Sequence, residues 1–166
     1  AISAGFSIRS ASLDKESIRA IGNKGESKIP APIKTTLDYN ALTAKQEAAL
    51  KSEIVGSHCG MDHKGMVAAM MLTQRVKDAV MMSSLLDDSS VEASVQTRVL
   101  IAGSGHARKD WGVPKYLLQA KPDAKIIAVA WLEVVPEAIV VADYAQRWGD
   151  GEMPFDYVWF TPRNDR

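Results

Sequence analysis

The stretch AGSGHARKDWGVP, residues 102–114, sets one histidine, His106, between two glycines and a block of charge. An imidazole is the side chain best suited to act near neutral pH as a metal ligand, a haem contact or a general base. Gly103 and Gly105 remove steric bulk, so a ligand can approach closely; a histidine that merely capped the following turn would leave those glycines unexplained. Arg108 and Lys109 come next and can meet a carboxylate or phosphate, or simply form a solvated edge. A second cluster places His58, Cys59 and His63 within six residues. Structural zinc takes four protein ligands, and only three stand here unless Asp62 or a remote residue joins them. Otherwise Cys59 packs as a small hydrophobe.

Further along, Gln74 and Asp78 lie one helical turn apart, and Arg75 can meet Asp78 at the i, i+3 spacing as an intrahelical pair. Six of the seven methionines, Met70 among them, fall between Met61 and Met82. A pliable, polarisable methionine stripe lines a cofactor or fills a core. Tyrosinate is an axial ligand of ferric haem, and Tyr157, in an apolar strand beside Asp156, is the foremost tyrosine, with Tyr144 and Tyr116 as alternatives. A buried strand tyrosine otherwise satisfies its hydroxyl within the core.

These residues need elements to position them. Leu13 to Gly25 reads as a short helix capped by Asp14 or Ser12 and ended by glycine. KIPAPIKTT, residues 28–36, reads as an extended connector because of its two prolines. Thr43 to Val55 reads as a helix opening on a Thr cap, and Met66 to Leu86 as a long helix with a broad apolar stripe. Val99 to Ala102 reads as a strand ending at the His106 loop. Val113 to Ala120 is a short helix with Pro114 in its first turn. Ile126 to Val135 and residues 156–162 are strands, and Glu137 to Trp148 is compatible with either state. Helices alternating with apolar strands indicate an α/β fold with a mostly parallel sheet and flanking helices. With only about three strands visible, and an abrupt AISAGF start, the chain reads as an incomplete, C-terminal portion of a larger α/β domain.

The chain has 166 residues, enough for one domain with a real core. Lys plus Arg equals Asp plus Glu at 20 each, so a dedicated nucleic-acid binder is not expected. No apolar run approaches the ~20 residues of a membrane span. The single cysteine excludes an internal disulfide. No serine-nucleophile elbow, phosphate loop or dinucleotide fingerprint is present; the G-x-G at 103–105 has Arg108 where a third glycine belongs.

Four pieces in order, HCGM at 58–61, MVAAMMLTQRVKDAVMM at 66–82, IAGSGHARKDWGVPKYL at 101–117 and DYVWFTPR at 156–163, resemble the ChaN-like haem-binding proteins of the Tiki superfamily. The resemblance covers residues 57–163 well and the first 56 loosely, which divides the chain into an N-terminal helical segment with linker, 1–56, and a ChaN-like part, 57–166. Ser104 stands where the family has Asn in Gly-Asn-Gly-His. The family's Arg-Asp pair is spread here as Arg75-Val-Lys-Asp78, so Gln74 and Arg75 carry over more readily than Asp78. The family's early Gly-Glu-x-His-type motif has no counterpart.

The resemblance implies a haem or related tetrapyrrole as cofactor and a role in bacterial iron or haem uptake. The family setting is periplasmic or outer-membrane-associated, usually as a lipoprotein, with a chloroplast location as the alternative. It also implies tyrosine ligation at a dimer interface, hence a homo-oligomer or a partner chain. On that reading the protein is a binder rather than an enzyme. His106 and Tyr157 contact the iron, Arg108 pairs with a propionate, and Tyr144, Met70, Gln74, Arg75 and His58 complete the site. Two other readings are a metal-dependent hydrolase completed by a missing segment or partner chain, and a degenerate domain kept as a scaffold or assembly subunit.

Overall fold

Helix α4 (Met66–Leu86) is the longest described element, and four of the other helices pack against it. The computed structural model describes residues 7–36, 42–58, 65–87, 97–138, 140–145 and 152–163. Before α4 come α1 (Lys15–Lys24), a 3-10 turn (Gly25–Lys28), α2 (Ala31–Thr36) and α3 (Ala44–Ser57). After it come α5 (Ser104–Ala107), α6 (Val113–Ala120), β1 (Val129–Glu133), α7 (Val141–Ala145) and β2 (Tyr157–Thr161). The fold is mixed α/β, and β1 and β2 pair in parallel with Trp131 opposite Trp159. Among the described residues no helix is long and apolar enough to cross a membrane.

Local chemistry accounts for most of these boundaries. The Asp14 carboxylate accepts the Ser17 backbone N–H at 2.8 Å and starts α1, as acidic N-caps do. Gly25, at φ 62°, ends it in a conformation that a side chain would strain. Thr43 and Gln46 form a reciprocal capping box at the head of α3. The limits expected for α4 and α6 are those observed.

The main core is made by Ile21 of α1, Ile29, Ile33 of α2, Val76, Ala79, Met81 and Met82 of α4, and Val113 and Tyr116 of α6. A second cluster joins Leu50 and Ile54 of α3 to Val67 and Trp111. A third lies under one face of the sheet, around Ala128, Ala130 and Phe155. The other face leaves Trp131, Tyr157 and Trp159 exposed.

Two expectations need correction. Residues 28–36 are not an extended connector: Ala31–Thr36 is helical. Pro32 sits in the first turn, where a backbone N–H has no intrahelical acceptor to lose, and Ile29 and Ile33 gain burial against the main core. Val99 to Ala102 has no strand partner among the described residues. Its in–out alternation is present, with Leu100 and Ala102 packed on the main core and Val99 and Ile101 at 75% and 94% exposure. The side-chain pattern of a strand is therefore there, but not the ladder that defines one. For Glu137 to Trp148 the described part includes a helix, α7.

Candidate functional site

The one-turn helix α5 starts at Gly103, whose carbonyl accepts the His106 backbone N–H at 2.9 Å. This turn aims the His106 ring at α4, where Gln74 and Asp78 share a face at i, i+4. His106 Nδ1 lies 2.5 Å from Asp78 Oδ1 and 2.9 Å from Gln74 Nε2. A single Nδ1 cannot donate to the carboxylate and accept from the amide at once. The short carboxylate contact takes the Nδ1 proton, and Gln74 Nε2 donates to the Gly105 carbonyl at 3.4 Å. Nε2 has no hydrogen-bond partner among the described residues.

Asp78 is 0% exposed, and its Oδ2 has no hydrogen-bond partner among the described residues. Burial pushes its carboxyl up to about 6, against the opposing hydrogen bond and charge of His106 and the charge of Lys77. Sequence reasoning weighted Asp78 below Gln74 and Arg75. The available signal was an acid inside an apolar stripe: a carboxylate removed from water needs a partner, and the chain holds only three histidines. The expected Arg75–Asp78 pair is not the one formed. Arg75 Nη1 instead reaches Glu47 of α3 at 3.1 Å.

Arg108 is 2% exposed and is held from several sides. Its Nε and Nη2 donate to the two Asp110 carboxylate oxygens at 2.9 and 2.6 Å. Glu53 lies 3.6 Å from Nη1, and the guanidinium carbon stacks 3.3 Å from the Trp111 ring centre. The Gln46 amide ties this turn to α3, donating to the Asp110 carbonyl and accepting from Lys115, both at 2.5 Å. Gly112 is required by close approach: a Cβ there would stand 2.3 Å from the His106 carbonyl oxygen and 2.7 Å from that of Arg108. The guanidinium expected to meet a ligand carboxylate thus clamps the loop that carries His106.

Beside the His106 turn lies a groove of about 530 Å³ between α1, α3 and α4, within the size range of cofactor sites. Leu50, Ile54, Met66, Ala69, Met70 and Trp111 supply its apolar wall, and Gln74, Lys77, Gly105 and His58 its polar edge. His58 caps the end of α3 with Nδ1 2.8 Å from the Ile54 carbonyl oxygen. Because a carbonyl only accepts, that hydrogen bond places a ring proton on Nδ1. Lys77 has no ion-pair partner among the described residues.

The groove therefore brings together His58, Met70 and Gln74 of the expected site, with His106 directly behind Gln74 and Gly105. It does not bring in the tyrosines. Tyr144 is buried, takes the Val135 backbone N–H at 3.0 Å and packs on Phe160. Tyr157 is 64% exposed on the open sheet face, and Tyr116 is in the main core. Tyr39, Cys59, Asp62 and His63 lie outside the described residues. Among those described, no group of three or more His, Cys, Asp or Glu could hold a bare metal ion. Haem makes a smaller demand, because the porphyrin supplies four ligands and the protein one or two. An apolar groove edged by an imidazole with its Nε2 free meets it.

The family described as haem-binding uptake, Tiki superfamily, ChaN, matches residues 1–117. The matched stretch takes in the N-terminal 56 residues, the whole groove and the Asp78–His106 pair, and stops before the strands and Tyr144 and Tyr157. No curated protein and no solved structure matches the chain. With more than two thirds of its length matched, the chain belongs to the ChaN family of haem-binding uptake proteins in the Tiki superfamily.

Proposed function

We propose that the protein binds haem in the groove between α1, α3 and α4, with an imidazole as the iron contact and Lys77 as the partner of a propionate. The observation that carries this reading is the combination of an apolar wall with His58, a ring whose Nδ1 is tied to Ile54 so that Nε2 is available to a metal. Bound there, haem would supply an iron centre for redox or ligand-exchange chemistry. The protein's part is to cover the macrocycle with Leu50, Ile54, Met70 and Trp111, to exclude water and to offer nitrogen to the iron. Lys77 takes the propionate role expected of Arg108, because the Arg108 guanidinium is already met by Asp110.

The test is titration of the purified protein with ferric haem, followed by the Soret band. A saturable, near-stoichiometric band that is lost in Ala69→Arg, which fills the groove, supports the reading. No saturable band in the wild type, or an unchanged one in Ala69→Arg, overturns the groove as the haem seat. His58→Ala compared with Tyr157→Phe and Tyr144→Phe decides whether nitrogen or phenolate oxygen meets the iron.

One observation favours a second reading. A histidine held by a buried carboxylate is also the arrangement of a general base, which suits a metal-dependent hydrolase. Chelator-sensitive turnover abolished by His106→Ala would support that reading in place of the first.

A further inference from the structure

The start of α4 brings thioether sulfur to the same groove that His58 edges. Met66 and Met70 both line it, and at i, i+4 they stand on one side of α4 with Cβ atoms about 5–6 Å apart. Their level relative to His58 follows from how α3 packs on α4. Near its start, α3 meets the middle of α4, where Arg75 Nη1 lies 3.1 Å from Glu47. Near its end, Ile54 shares a cluster with Val67, Met70 and Met71. The two helices therefore run antiparallel. Both rise about 1.5 Å per residue, so the end of α3 at His58 stands level with the first turn of α4 at Met66. His58 is exposed and Met66 is 48% exposed, so this end of the groove is open to solution. The Ile54 carbonyl takes His58 Nδ1 at 2.8 Å, and a metal that binds this ring meets it through Nε2.

The donor set selects the ion. Zinc, calcium and magnesium call for thiolates, imidazoles or carboxylates, and no group of three or more such residues stands together among the described residues. Glu53, the acid on the groove lining, lies 3.6 Å from Arg108 Nη1. Two thioethers and an imidazole are a soft set, which suits copper(I). The positive charge of Lys77 is further along α4, about 10 Å beyond Met70 and 16 Å beyond Met66 at the helical rise.

We infer that His58 Nε2 and the sulfurs of Met66 and Met70 form a copper(I) site where the end of α3 meets the start of α4. The site shares His58 with the haem reading, so copper(I) and haem compete for that ring, but neither inference depends on the other.

The test titrates the haem-free full chain, anaerobically with ascorbate, against the copper(I)–bicinchoninate complex, and X-ray absorption then reads the ligand atoms. The expected result is a single equivalent of copper(I) withdrawn from the dye and bound by sulfur and nitrogen. Met66→Leu and Met70→Leu conserve volume, and cooperative unfolding checks that each variant folds. Each, like His58→Ala, should weaken binding by at least the about 10–100-fold that follows loss of a group behind a metal ligand. Cys59→Ser is the control, because a thiolate is itself a soft ligand; it should leave the affinity unchanged. No copper taken from the dye, an affinity unmoved by both methionine variants, or an affinity lost in Cys59→Ser alone overturns the site. Haem titration of the same proteins keeps the two readings apart. If haem binds and copper(I) does not, the copper site falls and the haem reading stands; if copper(I) binds and haem does not, the reverse holds.

Discussion

Replacing Asp78 by Asn tests the buried pair through the pH dependence of stability. Asp78 is wholly buried, and desolvation raises its carboxyl from 3.8 to about 6 despite the neighbouring His106 and Lys77. The folded protein therefore holds this proton more tightly than the unfolded chain does. A raised folded-state value contributes stability that is fully present below the unfolded value and is lost as pH rises through about 6. A shift from 3.8 to about 6, at about 1.36 kcal/mol per unit, corresponds to about 3 kcal/mol. About 2 kcal/mol of that change falls between roughly pH 4.5 and pH 8. Asn has nothing to titrate, so its unfolding free energy relative to wild type should improve by about 2 kcal/mol across that interval. Urea unfolding of the haem-free protein, followed by tryptophan fluorescence at fixed pH, measures both. A flat difference, or one that moves toward the wild type as pH rises, would refute the reasoning: it would mean that the carboxylate is hydrated, or that His106 compensates its burial completely.

Substitutions at four other positions read separate parts of the scaffold. Gly112→Ala drives a methyl group into two backbone carbonyls that cannot swing away, and should cost about 3 kcal/mol, seen as a lower urea midpoint. Ile21→Ala empties a fully buried position in the main core and should lose about 2–5 kcal/mol, whereas Ile21→Val should lose about 1. Thr43→Ala breaks the capping box of α3 and should cost about 1 kcal/mol, with a small loss of helical circular dichroism. Arg108→Lys keeps the charge but gives up the two-pronged bond to Asp110 and the stack on Trp111. A loss of about 2 kcal/mol is expected in the same unfolding assay, and no loss would show that the clamp is not structural.

Much of the helical frame was legible because its signals are local. The apolar stripe and flanking glycine of α4, Pro114 in the first turn of α6 and the Thr43 cap each act within a few residues, and those helices lie where the sequence places them. The parallel sheet was legible from two apolar runs, and the family from four motifs in order. The readings that failed depended on distant partners. Residues 28–36 form a helix because Ile29 and Ile33 find the main core, which outweighs the reading of prolines as extended chain. Val99 to Ala102 alternates as a strand does, yet a strand exists only where another backbone accepts its hydrogen bonds.

The candidate site divides the same way. Sequence alone determined that His106 stands on a glycine-flanked turn and that Gln74 and Asp78 share a helical face. Only the tertiary structure decided that Asp78 meets His106 across 28 positions of chain rather than Arg75 three residues away. Only the tertiary structure buried Arg108 beside Glu53 of α3 and placed Tyr144 and Tyr157 away from the groove. The physical reason is range. Periodicity and capping are settled by neighbours along the chain, whereas the burial of a carboxylate is settled by whichever donor the packed core brings to it.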